Sequence, residues 1–232
     1  MGNVEGSDKW MLKVGGISSL VVFIGYFVII ALYSIALPPS GTEAKLVFFA
    51  SHTTAWWSII SLSVLTNFLR LLVFFSLFFA LKGINRSAAL IAVAFEGLFV
   101  VLECATSYGT MYPALMNLSG QYAAATSDAQ RAVFVTAATS IDAALGSGFL
   151  AVYVILAPAI STLVISFVML KGVFNKATAY LGLVTGILAI VSVVGPYFAS
   201  VLSNLVPLMS ALSMIWFLLV GYRLYKLGRK VH

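Results

Sequence analysis

The sequence predicts an all-α membrane protein, a polytopic bundle of six transmembrane helices, and three observations lead to this prediction. Hydrophobic residues make up 62% of the 232 residues and charged residues only 9%, whereas a soluble domain carries about 25% charge. Several apolar runs have a length of about 20 residues, which is the length that a helix needs to cross a bilayer. No segment alternates over about ten residues, as the strands of a membrane barrel do. This composition excludes an ordinary soluble domain, a disordered chain and a basic domain that binds nucleic acid.

Six apolar segments give the predicted spans, which together form a single transmembrane domain over residues 1–232. The spans cover residues of about 10–37, 58–81, 87–107, 147–170, 177–199 and 206–222. Pro38 and Pro39 close the first span, because proline is not tolerated in a helix interior. The first apolar run is longer than the core of a signal peptide, which has about 7–15 residues. We therefore expect this run to remain in the mature protein.

Two further segments, about 43–57 and 109–145, are predicted to lie on the outer side of the membrane. The helical pattern at 43–82 and at 127–171 is too long for one span. Residues 43–57 and 127–145 are therefore expected to be short outer helices or extensions of their spans. Ser127 and Gln130 have the spacing of a capping box, which predicts a helix start. Residues 109–126 are predicted to be a loop that completes an outer cap.

The basic residues predict the orientation of the bundle. With six spans, ten of the thirteen Lys and Arg residues fall on one side of the membrane. The positive-inside rule assigns that side, and with it both termini, to the cytoplasm. Lys45 and Arg131 fall on the other side, and Arg70 lies inside a span. The ten are Lys9, Lys13, Lys82, Arg86, Lys171, Lys176, Arg223, Lys226, Arg229 and Lys230. We therefore expect a multi-pass plasma-membrane protein whose basic side contacts anionic lipid headgroups.

The segment FFALKGINRSAALIAVAFEGLFVVLE, residues 78–103, carries a resemblance to a known family. An aliphatic span is followed by a basic turn of the form L-x-x-x-N-R-x-x-A-L and by a helix with a glutamate at mid-membrane. In this pattern the chain resembles a family of prokaryotic six-helix membrane proteins catalogued only as a domain of unknown function. The resemblance extends over nearly the whole chain. It implies the fold class and a prokaryotic plasma membrane, and it implies no activity.

Three charged residues lie inside predicted spans: Arg70, Glu96 and Glu103. A charge at the bilayer centre costs about 2.5–3.5 kcal/mol on insertion scales, so such residues are candidates for a functional site. The second and third spans are joined by a tight turn, which makes them neighbours. We therefore expect Arg70 and Glu96 to meet at mid-depth, where each offsets the cost of burying the other. The alternative interpretation of this pair is a buried contact that only fixes helix register.

A polar face surrounds the predicted pair. Residues 63, 66, 67 and 70 share one face of a helix, and residues 96 and 103 share another. Both faces run toward the outer surface. The residues below Arg70 and Glu96 are apolar: Phe74, Leu77, Ala89 and Ala92. The pattern predicts an outward-open polar pocket with an apolar floor. The predicted ligand-binding residues are Ser63, Thr66, Asn67, Arg70, Glu96, Glu103, Tyr153 and, at the mouth, Asp142.

The sequence lacks the residues that most kinds of catalysis need. Cys104 is the single cysteine and His52 is the one histidine before the terminal residue, so we expect no metal site, disulfide or cofactor. The function expected first is binding or sensing of a lipid or small amphiphile. A small proton-coupled secondary transporter is the alternative, followed by an intramembrane enzyme using carboxylate acid/base chemistry and by a scaffold for a partner protein. The expected partners are membrane lipids and a small ligand, not nucleic acid.

Overall fold

The computed structural model describes residues 6–229, apart from the side chains of residues 6, 7 and 149–153. Lys230 of the basic set and the side chain of Tyr153 therefore lie outside the described part of the chain. Every regular element in the described range is helical. The predicted all-α class is confirmed for this part of the protein.

The helices follow one another with short connections. In chain order they are α1 (Gly6–Ile35), α2 (Thr42–Ser51), α3 (Thr53–Ala105), a π-helical turn (Ser107–Met111), α4 (Tyr112–Ala124), α5 (Asp128–Leu145), α6 (Gly148–Met169), α7 (Lys176–Val194), two 3₁₀ segments (Gly195–Tyr197 and Ser200–Leu205) and α8 (Val206–Arg229). Of the two alternatives for the outer segments, residues 127–145 correspond to a separate helix, α5, which ends at Leu145. Residues 43–57 are divided between a separate helix, α2, which ends at Ser51, and the start of α3.

Four helical stretches of the described chain are long and apolar enough to cross a membrane. They are Asp8–Ile35, Thr53–Ala124, Lys176–Tyr197 and Ser200–Arg229, and a shorter apolar helix covers Val154–Met169. The second stretch has 72 residues, which at about 1.5 Å per residue is far longer than a hydrocarbon core of about 30 Å. It is broken at Asn85, whose φ of −152° and ψ of 92° are not helical.

The break at Asn85 lies where the sequence predicts the turn between the second and third spans. It divides α3 into a first arm, residues 53–84, and a second arm, residues 86–105. The side chain of Asn85 accepts a hydrogen bond from the backbone N–H of Ala88 at 3.0 Å. This bond satisfies one of the backbone donors that the start of a helix leaves unpaired.

The predicted loop at 109–126 is wrong, because most of it is helical. After the π-helical turn, α4 occupies Tyr112–Ala124 with Pro113 in its first turn, where proline is favourable because its missing N–H has no helical partner. Leu115, Met116 and Ser119 are buried along one face of α4. This 3–4 residue spacing is the signal of an amphipathic helix, and the turn-forming residues around it obscured that signal.

The predicted start of α5 is confirmed in its main contact. The Ser127 hydroxyl oxygen accepts a hydrogen bond from the backbone N–H of Gln130 at 3.3 Å. The Gln130 side chain accepts from the backbone N–H of Thr126 at 3.0 Å, one residue earlier than in a standard capping box.

The chain divides into two compact units. The first unit contains Met1–Ile24, Thr66–Val101 and Ala151–His232, and the second contains Gly25–Leu65 and Leu102–Leu150. In the first unit α1 approaches its neighbours through small residues. A Cβ atom on Gly15 would lie 2.0 Å from the Ser76 hydroxyl oxygen, and one on Gly16 would lie 2.6 Å from the Tyr225 backbone nitrogen. Ser19 donates a hydrogen bond to the Phe217 carbonyl at 2.6 Å. Such close contacts between small residues are typical of membrane helices.

The second unit packs around aromatic side chains. Trp56 is fully buried, and its ring centroid lies 4.7 Å from that of Phe49, 5.3 Å from that of Tyr112 and 5.4 Å from that of Tyr33. The indole N–H of Trp56 donates to the carbonyl of Ala36 at 3.1 Å. These contacts join α1, α2, α3 and α4 within the unit.

Candidate functional site

The predicted contact between Arg70 and Glu96 is confirmed. Arg70 lies on the first arm of α3 and Glu96 on the second, and the Arg70 Nε atom is 2.7 Å from the Glu96 Oε1 atom. The break at Asn85 allows the two arms to lie side by side. Both residues belong to the first unit. A charge-assisted hydrogen bond of this length is among the stronger polar contacts in proteins.

Two aromatic rings flank the guanidinium group of Arg70. Its central carbon lies 4.4 Å from the ring centroid of Phe99 and 5.4 Å from that of Phe217. The side chain is almost entirely buried. The negative faces of aromatic rings attract a cation, and this attraction grows when water is excluded. The rings therefore replace part of the hydration that Arg70 loses.

The carboxyl group of Glu96 is completely buried, and only one of its oxygens is hydrogen-bonded within the described chain. Oε1 accepts from Arg70, whereas Oε2 has no partner there. The Ser161 hydroxyl of α6 lies beside this carboxyl group, but it donates its hydrogen to the carbonyl of Ala92 at 2.8 Å. Glu96 thus presents an acceptor atom that the surrounding helices leave unsatisfied.

The predicted polar face and apolar floor near the pair are both inside the first unit. Thr66 and Asn67 are buried and precede Arg70 by four and three residues on α3, so they share its side of the helix. The four residues expected to form the floor are fully buried and apolar: Phe74, Leu77, Ala89 and Ala92. These four side chains are therefore apolar and buried, as the sequence predicts.

Three other predicted site residues, Ser63, Glu103 and Asp142, belong to the second unit. Glu103 is buried, and its Oε2 atom accepts a hydrogen bond from the Ser107 hydroxyl at 3.3 Å. Asp142 on α5 contacts the Lys45 ammonium at 2.5 Å and the Thr42 hydroxyl at 3.1 Å, both on α2. Both partners of Asp142 are about 100 positions away in the sequence, and no local pattern predicts them.

Three residues that sequence reasoning missed complete the surroundings of the pair. Phe99 lies three residues after Glu96, so helical spacing alone placed it on the same face. Ser161 and Phe217 reach the pair from α6 and α8, and no local pattern signals contacts over such sequence distances.

Pro158 lies inside α6, three residues before Ser161. A proline cannot donate to the carbonyl four residues earlier, which here belongs to Val154.

The arrangement provides an oxygen atom that can accept a hydrogen bond or a proton. This chemistry suits binding or proton transfer better than nucleophilic catalysis. Within the described residues, no three His, Cys, Asp or Glu side chains gather to hold a metal ion. A buried acceptor without a donor costs about 1–3 kcal/mol, so a group that donates to Glu96 Oε2 gains at least part of that free energy. No protein-family model, curated protein or solved structure matches the chain. The function is therefore inferred from the chemistry of these side chains.

Proposed function

We propose that this chain is a multi-pass membrane protein that binds a lipid or small amphiphile at the Arg70–Glu96 pair. The observation that carries the proposal is the unsatisfied Oε2 atom of Glu96, a fully buried acceptor beside an arginine. A buried acceptor without a hydrogen-bond donor does not stabilise a membrane bundle. A ligand headgroup that donates a hydrogen bond to Oε2 satisfies it.

The proposed topology has six spans, with both termini in the cytoplasm and the pocket open to the outer side. Four stretches support spans by length and composition, and the break at Asn85 divides the longest of them into two arms. The apolar helix at Val154–Met169 supplies the sixth. The distribution of basic residues supports the orientation, because ten of the thirteen then face one side. The resemblance noted above favours a prokaryotic plasma membrane.

The surroundings of the pair favour an amphiphilic ligand. A headgroup would meet Glu96, Arg70 and Asn67, and the buried apolar side chains of Phe74 and Leu77 follow Arg70 on the same helix. The headgroup needs a donor for Oε2 and benefits from a negative group that Arg70 can contact. Phosphatidylethanolamine has both, an ammonium and a phosphate, and is therefore a suitable probe.

The test is lipid binding by the purified full chain in detergent. Glu96→Gln keeps the shape of the side chain but removes its charge and one acceptor oxygen. Because a hydrogen bond to a charged group contributes about 1.5–3 kcal/mol, we expect the affinity for phosphatidylethanolamine, measured by native mass spectrometry, to fall at least tenfold. The matched control is Glu43→Gln, which neutralises an exposed acid hydrogen-bonded to Tyr122. We expect it to leave the affinity unchanged.

Two outcomes contradict the proposal. In one, Glu96→Gln binds phosphatidylethanolamine as tightly as the wild-type chain does. In the other, solvent extraction of the wild-type chain yields no bound amphiphile, and phosphatidylethanolamine does not raise its melting temperature. Either result indicates that the pair only fixes the register of the two helical arms.

Proton-coupled transport is the second candidate, and the position of Pro158 favours it. Pro158 interrupts the hydrogen bonding of α6 close to Ser161, which lies beside Glu96. Interrupted helices beside buried acids occur in secondary transporters. In proteoliposomes, transport predicts that a membrane potential drives proton uptake through the wild-type chain and not through Glu96→Gln. Equal uptake by both proteins rejects this candidate and leaves the binding proposal intact.

A further inference from the structure

A cleft of about 250 Å³ lies in the first unit, where the loop before α7 meets the last turns of α8. Its lining combines two cations, Arg223 and Lys226, with the polar side chains of Asn175 and Thr178. Leu219 and Tyr222 form an apolar part of the same lining. The Arg70–Glu96 pair contributes no residue to this cleft.

Arg223 is held in a fixed position at this cleft. Its Nε atom donates to the carbonyl of Val173 at 2.8 Å, and its Nη2 atom donates to the same oxygen. A guanidinium group has five N–H donors. Within the described chain, the hydrogen bonds of Arg223 to Val173 leave the Nη1 edge available to another acceptor. An arginine arranged in this way is suited to phosphate oxygens.

The start of α7 adds to the positive potential. Asn175 accepts a hydrogen bond from the backbone N–H of Thr178 at 2.7 Å and so caps the helix. The remaining N–H groups of a first turn have no partner inside the helix and favour an anion. The Lys226 ammonium lies 6.0 Å from the ring centroid of Tyr222, and both residues line the cleft.

We infer that this cleft binds the phosphate of an anionic phospholipid, with the acyl chains lying against Leu219 and Tyr222. Its volume far exceeds the roughly 10–15 Å³ that one water needs, and it is smaller than the roughly 300–1,000 Å³ of pockets for whole small molecules. It therefore fits a headgroup better than an entire ligand. Leu219 and Tyr222 are both exposed large hydrophobic residues, and apolar surface of this kind favours a lipid over free phosphate. The inference does not depend on the ligand proposed for Glu96.

The experiment compares two variants of α8 that lose the same charge. Lys226 lines the cleft, whereas Arg229 lies one turn further along the helix and is outside the lining. The affinity of the full chain for phosphatidylglycerol is measured by native mass spectrometry in detergent, with phosphatidylcholine as the neutral lipid. We expect Lys226→Gln to weaken phosphatidylglycerol binding about fivefold, because a basic residue near an anionic headgroup contributes about that factor. We expect Arg229→Gln to change binding less than twofold and Lys226→Arg to retain it.

A competition experiment and two control variants distinguish a lipid site from a site for free phosphate and from attraction by net charge. Inorganic phosphate is added as a competitor, and we expect it not to displace phosphatidylglycerol at equal concentration. Displacement at that concentration contradicts a lipid site and assigns the cleft to free phosphate. Equal losses in Lys226→Gln and Arg229→Gln also overturn the inference, because they indicate attraction by the net charge of the helix end alone. Arg223→Gln removes the contacts to Val173, so its melting temperature is measured beside its affinity.

Discussion

The two units of the chain bury polar groups in different ways. The first unit contains a fully buried carboxylate paired with an arginine, and its helices approach through Gly15, Gly16 and Ser19. The second unit packs around Trp56, and its fully buried Trp56 indole and Ser119 hydroxyl both donate to backbone carbonyls, Ser119 to that of Leu46 at 2.6 Å. The second pattern is what a stable core requires, because buried polar groups are normally satisfied. The first unit departs from it, and such departures are typical of functional sites.

The two buried tryptophans illustrate the difference. The indole N–H of Trp56, in the second unit, donates to Ala36. Trp216, in the first unit, is equally buried, but its N–H has no partner within the described residues. The hydroxyl of Ser166 is also without a partner there. The unsatisfied side-chain atoms of the described chain, which also include Glu96 Oε2, therefore all belong to the first unit.

Breaking the ion pair should have the largest effect on stability. Arg70→Met leaves the Glu96 carboxylate buried without a counter-charge, and removing one member of such a pair costs about 3–5 kcal/mol. We expect the free energy of unfolding, measured by denaturant titration in detergent micelles, to fall by that amount. A loss below about 1 kcal/mol contradicts the importance of the pair for the fold.

The double variant Arg70→Met/Glu96→Leu is the control for this prediction. It replaces both charges with apolar groups, which is often neutral for stability. We expect it to regain most of the lost stability and yet to bind no phosphatidylethanolamine. A double variant as unstable as Arg70→Met shows that the packing of Arg70, rather than its charge, matters.

The tryptophan comparison gives a smaller effect. Trp56→Phe removes the hydrogen bond to Ala36 as well as part of the ring, whereas Trp216→Phe removes an N–H that has no partner in the described chain. An ordinary hydrogen bond contributes about 0.5–1.5 kcal/mol, so we expect Trp56→Phe to cost more than Trp216→Phe by about that amount. Unfolding titrations of both variants measure this difference. Equal costs indicate that the Trp216 N–H has a partner, such as a buried water.

Two glycines should respond to alanine with opposite signs. A Cβ atom on Gly182, in the first unit, would lie 2.0 Å from the Ser166 hydroxyl oxygen and 2.5 Å from the Trp216 indole nitrogen, whereas one on Gly120, in the second, meets nothing within 4 Å. Overpacking costs about 1–3 kcal/mol, and an unhindered Gly→Ala change inside a helix gains about 0.5–1 kcal/mol. We expect Gly182→Ala to lower the melting temperature and Gly120→Ala to raise it. A gain in both variants contradicts the close packing at Gly182.

How much the sequence predicts depends on the distance over which a contact forms. Arg70 and Glu96 lie on either side of one turn, so intramembrane charge and helical spacing were sufficient to predict their contact. The aromatic cluster joins Trp56 to Tyr33 and Tyr112 from three separate helices, and no periodic pattern encodes such packing. Lys45 and Asp142 are 97 positions apart, which explains why the sequence placed Asp142 at a pocket mouth without naming its partner.

The smallest expected effect concerns the contact of Asp142. Lys45 and Asp142 are partly exposed, and pairs of this kind contribute about 0–1 kcal/mol. Asp142→Asn should therefore change the free energy of unfolding by less than about 1 kcal/mol, far less than Arg70→Met. Lys45→Gln, which breaks the same ion pair, should lower the free energy of unfolding by a similarly small amount, and denaturant titration in detergent micelles measures both variants. A loss of about 3 kcal/mol or more in either variant contradicts a weak, partly exposed contact between α2 and α5.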